Sequence, residues 1–202
     1  MQTKLRIIKD VANVEVDARG TEDGIQGNIP IQRMWTARGY GWSAMATTAI
    51  VSLVVRPTTV AAATLYNNTS KNFVIERVFG HSLLSIANGQ FGIWLCVHPV
   101  GMTAPTNDMT TRNSLSGLVA GTEGIFDSAA TVVDNGWFPW GASNYSITAS
   151  VPGSLVQAEV DGRIIVPPTA GISIQSVAQT AVITVQFGLT WYSVPVSEFA
   201  VG

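Results

Sequence analysis

From Thr47 onward the chain is a succession of short segments that alternate with period two, and this pattern constrains the fold more than any other feature. Segments 47–55, 59–66, 73–79, 91–97, 145–151, 155–160, 163–166, 172–178 and 181–192 are rich in Val, Ile, Thr and aromatic residues and read as strands. Turn signals separate them: Asn67-Asn68, Asn88-Gly89, Pro152-Gly153, Asp161-Gly162, and Pro167-Pro168 with Gly171. In the last segment Ile183, Val185 and Phe187 form one apolar face, while Val182, Thr184 and Gln186 form a mixed one. Helical period is scarce, and only 108–120 has room for a turn or two, opened by Asp108 as a cap. Many short strands without intervening helices predict an all-β sandwich of about eight antiparallel strands.

The 202 residues are 47% hydrophobic but only 12% charged. That is about half the usual charged share of ~25%, and it excludes disorder for most of the chain. Area scaling has a chain of this length bury about 70% of its unfolded surface, enough for one sizeable core. A net charge of −2 gives no basic footprint for nucleic acid. No apolar run reaches the ~18 residues of a membrane span. The opening MQTKLRIIKD has charges and no apolar core, so no secretory leader is expected and synthesis in a cytoplasm is.

Charge is unevenly placed. Lys4, Arg6, Lys9, Asp10, Glu15, Asp17, Arg19, Glu22, Asp23, Arg33 and Arg38 crowd the first 44 positions, whereas 78–107 and 164–197 contain no Asp, Glu, Lys or Arg. The Gly39-Tyr40-Gly41-Trp42 stretch punctuates the change. The expected organisation is therefore an extended N-terminal arm over 1–44 and a sandwich domain over 45–202. The leading segment lacks a sustained helical or strand period, and its mixed charges and glycines suit an arm that lies on another surface.

Chemistry-bearing motifs are sparse. The two histidines, His81 and His98, come without an HxH or CxxC pair, so no metal site is expected. The single cysteine, Cys96 in IWLCVHP, reads as a core thiol. Gly80-His81-Ser82 lacks the second glycine and following helix of a nucleophile elbow. Paired carboxylates have few candidates beyond the arm, and Asp161-Gly162 reads as a hairpin turn. Gly117, Gly121 and Gly124 make no phosphate loop. The Asn67 and Asn144 sequons matter only in a secretory pathway. No catalytic residue, cofactor or enzymatic activity is expected.

Trp137-Phe138-Pro139-Trp140, preceded by Asn135-Gly136, is the notable aromatic cluster. Such residues form a small core beneath a loop, or anchor an interface, or stack on a sugar. Ordinary monomers guard their edges and surfaces with Lys and Glu. The stretch 164–197, with two or three strands and no ionised side chain, instead favours a closed homo-oligomer, because burying a few hundred Å² of it at about 25 cal/mol per Å² contributes several kcal/mol. A trimer is the natural form for sandwiches packed around an axis.

The stretches LYNNTSKNFVIERVFG at 65–80, FGIWLCVHPVG at 91–101, GRIIVPPTAGISIQS at 162–176 and TVQFGLTWYSVPV at 184–196 carry a resemblance at the level of fold pattern. Over roughly 47–197 the chain resembles the trimeric jelly-roll decoration, or cement, proteins of tailed-bacteriophage heads. The resemblance implies a jelly-roll β-sandwich, a homotrimer on the outer surface of the virion capsid, and the major capsid protein as partner, with neither membrane nor nucleic acid bound. The charged 1–44 would then reach across neighbouring capsid subunits. Arg6, Lys9, Arg19, Arg33 and Arg38 are the expected polar contacts, and Trp35, Tyr40 and Trp42 the apolar anchors. Two other readings compete. One is a receptor- or glycan-binding head of a phage tail or fibre, using the loop of Trp137, Phe138 and Trp140. The other is a major shell subunit, which the lack of a basic genome-binding run disfavours.

Overall fold

A computed structural model describes residues 6–8, 15–17, 30–82, 90–106, 108–118, 123–142, 154–179 and 183–199. The elements in chain order are β1 (Arg6–Ile8), β2 (Glu15–Asp17), α1 (Ile31–Ala37), β3 (Gly41–Met45), β4 (Ile50–Val51), β5 (Ala63–Tyr66), β6 (Asn72–Ser82) and β7 (Phe91–His98). There follow β8 (Arg112–Asn113), β9 (Ile125–Ser128), β10 (Phe138–Ala142), β11 (Ser154–Val166), β12 (Gly171–Ala178), β13 (Thr184–Val194) and a closing 3-10 turn, Val196–Phe199. The fold is an all-β sandwich. One sheet runs β10-β7-β12-β5-β9, the other β11-β6-β13-β3-β8 with β4 also on β13, and the ladders are antiparallel.

Between the sheets the alternation does what the sequence implies. Phe73, Ile75 and Val78 of β6 with Phe187, Leu189 and Trp191 of β13 meet Ile93 and Leu95 of β7, Ile172 and Ile174 of β12, and Leu65 of β5 in one buried cluster. Phe73 and Trp191 stack tilted with ring centroids 5.9 Å apart. Each such side chain removed from water contributes about 1.5–3 kcal/mol. Close packing also fixes Gly188 on β13: a Cβ there would lie 2.3 Å from the Phe79 ring and 2.8 Å from the Ala44 carbonyl oxygen.

Several expectations are corrected. The boundary at residue 44 falls inside β3, which pairs with β13 from Gly188↔Met45 to Tyr192↔Gly41. Residues 31–45 therefore belong to the sandwich. Helix α1 places Trp35 against Val74, Val194, Tyr40 and Tyr192 on the outer face of the second sheet, with the Trp35 and Tyr192 rings 5.4 Å apart. A helix of 7 residues with one buried side chain is too short to register as a period.

Segment 108–120 holds no helix among its described residues; β8 and the turn at 114–116 occupy it, with Asn113 Oδ1 accepting from the Leu115 and Ser116 amides. Asp161-Gly162 is not a hairpin, because β11 runs unbroken through it opposite β6, with a register shift between Glu159 and Ile164. Both residues have positive φ (50° and 71°), and residues 160–163 bow out opposite the single Glu76 while the strand stays in its sheet. Of 47–55, only Ile50–Val51 is strand. All of 145–151 and all of the Asn144 sequon lie outside the described residues.

Candidate functional site

Strand β12 is buried along nearly its whole length, on both faces. Ile172 and Ile174 face the core, so Ser173 and Gln175 point away from it. They are nevertheless fully enclosed, since the excursion between β7 and β10 folds back over that outer face. The strip 130–134 pairs with 58–61: the Ala61 amide donates to the Ala130 carbonyl (2.9 Å), Val132 N–H to Thr59 (2.9 Å) and Asp134 N–H to Thr58 (3.0 Å). Trp137 seals this layer against Ala61, Cys96, Ala130 and Val132. Arg56 clamps the strip's end by donating to the carbonyls of Asn135 and Trp137.

The layer encloses a polar chain. Cys96 and His98, two apart on β7, share its outer face, and Ser173 is the register partner of Cys96 and of Thr64. His98 Nδ1 lies 2.8 Å from Asp134 Oδ2, and its Nε2 lies 2.7 Å from Ser173 Oγ. Ser173 Oγ lies 2.8 Å from Thr64 Oγ1. Cys96 Sγ is 3.7 Å from His98 Nδ1. Gly136 N–H donates to Asp134 Oδ1 at 2.7 Å. Burial alone would raise the Asp134 carboxyl, but the Gly136 amide and the His98 and Cys96 hydrogen bonds outweigh it and hold it below the ordinary range. The Cys96 thiol is pushed up to about 12 by burial and by the Asp134 charge.

His98 and Asp134 open onto a cavity of about 540 Å³, lined also by Met102, Pro105, Asp127 and Val133. Asp127 is raised above its usual range by burial and by the neighbouring Asp108. The order Ser173–His98–Asp134 has the connectivity of a nucleophile, base and orienting acid. Ser173, however, is fully buried, does not line the cavity, and has its hydroxyl committed between His98 and Thr64. The arrangement holds a loop to a sheet rather than presenting a nucleophile.

Residues expected to act together are dispersed. Arg6 lies on β1, which pairs with β2, while Lys9 and Arg19 lie outside the described residues. Arg33 is exposed on α1, and Arg38 donates to Glu198 in an exposed 2.6 Å ion pair. Trp35 and Trp42 are buried within the subunit and Tyr40 is packed beside Trp35, so the tryptophans are core residues here, not free anchors.

The aromatic loop also divides. Trp137 is buried in the outer layer, and Phe138 packs on the main core. Partly buried Trp140 also packs on the main core and borders a shallow groove with Gln157, Glu159 and Arg163; its Nε1 donates to the Glu159 carbonyl (3.1 Å), and the Arg163 guanidinium lies 5.1 Å from the ring centre. Asn67, first residue of a sequon, is buried with its amide nitrogen donating to Lys71 and Val166 carbonyls.

The Cys96–His98–Asp134 association was missed by sequence reasoning. The available signal was Cys-x-His on a strand, which places both side chains on one face; nothing local marks Asp134 as their partner. No family model, curated protein or solved structure matches the chain.

Proposed function

We propose that the chain is a structural virion protein, a homotrimeric jelly-roll decoration protein that binds neighbouring major capsid subunits and stabilises a phage head. The jelly-roll part is supported by strand order. With the two-residue β4 and β8 and the edge strand β9 set aside, the remaining eight sandwich strands run first-eighth-third-sixth in one sheet and second-seventh-fourth-fifth in the other. The observation that carries the assembly is apolar exposure on a charge-poor surface. Val54, Val55 and Val133 are 54%, 66% and 81% exposed on the strips around 53–60 and 131–134, and Leu115 and Leu118 are 58% and 68% exposed beside β8. Copies of the chain covering these residues would remove them from water with few charges to desolvate. The N-terminal segment suits a capsid-reaching arm, since β1 pairs with β2 and with no other strand among the described residues.

Native mass spectrometry of the purified chain is expected to show a trimer, and a monomer at micromolar concentration would overturn the assembly. Removing residues 1–29 spares α1 and β3; that variant is expected to remain trimeric but to stop co-sedimenting with undecorated heads of the encoding phage. Unchanged co-sedimentation would refute the arm.

The groove beside Trp140 favours a second reading, a glycan-binding head. Since Arg163 sits by the indole, a sugar would stack on what that ring leaves open and bond to Gln157 and Glu159. Glycan-array binding abolished by Trp140→Ala would select this reading over cementing.

A further inference from the structure

We infer that Cys96, His98 and Asp134 form a binding site for one zinc ion, with a fourth coordination position facing the cavity between the outer loops and the five-stranded sheet. The inference is independent of the capsid reading. Three chemically different donors, a thiol, an imidazole and a carboxylate, each offer one atom, and these atoms lie within 4.8 Å of one another. Zn–S near 2.3 Å and Zn–N near 2.0 Å place tetrahedral sulfur and nitrogen donors about 3.5 Å apart. Cys96 Sγ and His98 Nδ1 are already 3.7 Å apart. The His98–Asp134 contact of 2.8 Å has to open by about 0.5 Å for a metal to enter. That movement falls on Asp134, whose side chain is 24% exposed at the layer's rim, whereas the two donors on β7 are held by the sheet.

The supporting contacts are those a zinc site requires. With Nδ1 on the metal, His98 carries its proton on Nε2 and donates it to Ser173 Oγ, which passes its own hydrogen to Thr64 Oγ1. This fixes the tautomer and the ring orientation. Gly136 N–H continues to hold the second Asp134 oxygen. Thiolate, carboxylate and neutral imidazole sum to two negative charges, which a divalent ion cancels, so the filled site is neutral in a buried layer. The soft thiolate with imidazole selects zinc or cobalt over magnesium or calcium. On binding, the Cys96 S–H bond breaks, sulfur keeps the electron pair for the metal, and the proton leaves through the cavity to solvent. Water fills the fourth position.

Cobalt titration of the full chain, stripped with a chelator, tests this directly. Cys96 is the single cysteine, so any thiolate-to-cobalt charge-transfer absorption in the wild-type protein reports that residue. The expected result is one cobalt per chain with that absorption, displaced by one equivalent of zinc. His98→Gln should weaken binding by about tenfold or more. It should do so while circular dichroism shows the sandwich retained. No binding, cobalt uptake without charge-transfer absorption, half a metal per chain, or unchanged affinity in His98→Gln would each overturn the site.

Discussion

The two faces of the five-stranded sheet are built on opposite terms. Toward the core, Ile172, Ile174, Ile93 and Leu95 interdigitate with the second sheet, and any apolar side chain of similar volume would serve nearly as well. Away from it, Ser173, Gln175, Cys96 and His98 are as deeply buried, but under loops and with hydrogen bonds that a replacement side chain would have to reproduce. Stability on the first face comes from volume; on the second it comes from matching donors with acceptors. The second face also carries two groups shifted from their ordinary values, Asp134 downward and Cys96 upward.

The contrast can be broken by mutation, and the core should show the largest effect. Phe73→Ala is expected to cost about 3–5 kcal/mol in chemical denaturation, and a loss below 1 kcal/mol would mean that the sheets are not tightly packed there. His98→Ala on the other face takes one hydrogen-bond partner from Asp134 and one from Ser173, leaving them Gly136 N–H and Thr64 Oγ1, and should cost about 1–3 kcal/mol. Gly188→Ala forces Phe79 and the Ala44 backbone to yield and should cost a similar or slightly smaller amount.

The pH dependence sharpens the comparison without changing the core. Asp134 is depressed in the fold, so its contribution is complete above the ordinary value of 3.8 and disappears as pH falls through the folded value. Asp134→Asn should flatten that acid limb. Cys96 is raised, so its contribution is complete below the ordinary value of 9.0 and is lost as pH climbs toward about 12. Iodoacetamide at pH 8 should therefore alkylate Cys96 only after unfolding. The smallest effect is expected on the surface, where Arg38→Ala breaks the exposed pair with Glu198 and should shift stability by less than about 1 kcal/mol.

The two-residue alternation makes the core face legible. Val185, Phe187 and the isoleucines of β12 are placed correctly by counting alone, and the sandwich follows from their repetition. Less is legible where one residue decides an element. Trp35 anchors α1 by a single contact set, and the Asp161-Gly162 signal is shared by hairpins and bulges until β6 supplies the continuous partner. The outer polar layer is illegible for a further reason. Ser173 and Gln175 look like a solvent face because polarity along a strand does not say what loop will cover it. Asp134 meets His98 only through the path of that loop.

The pairing of β3 with β13 has a consequence during synthesis. The first strand of the sandwich waits for the last, so the ribosome must release nearly every intervening residue before Trp42 finds its partner Trp191. Closing so long a loop is slow. Although β8 can cover one edge of β3 earlier, a nascent chain of this design leaves the β13-facing edge open until elongation is nearly complete, and it is in that interval, more than after completion, that a chaperone would decide its yield.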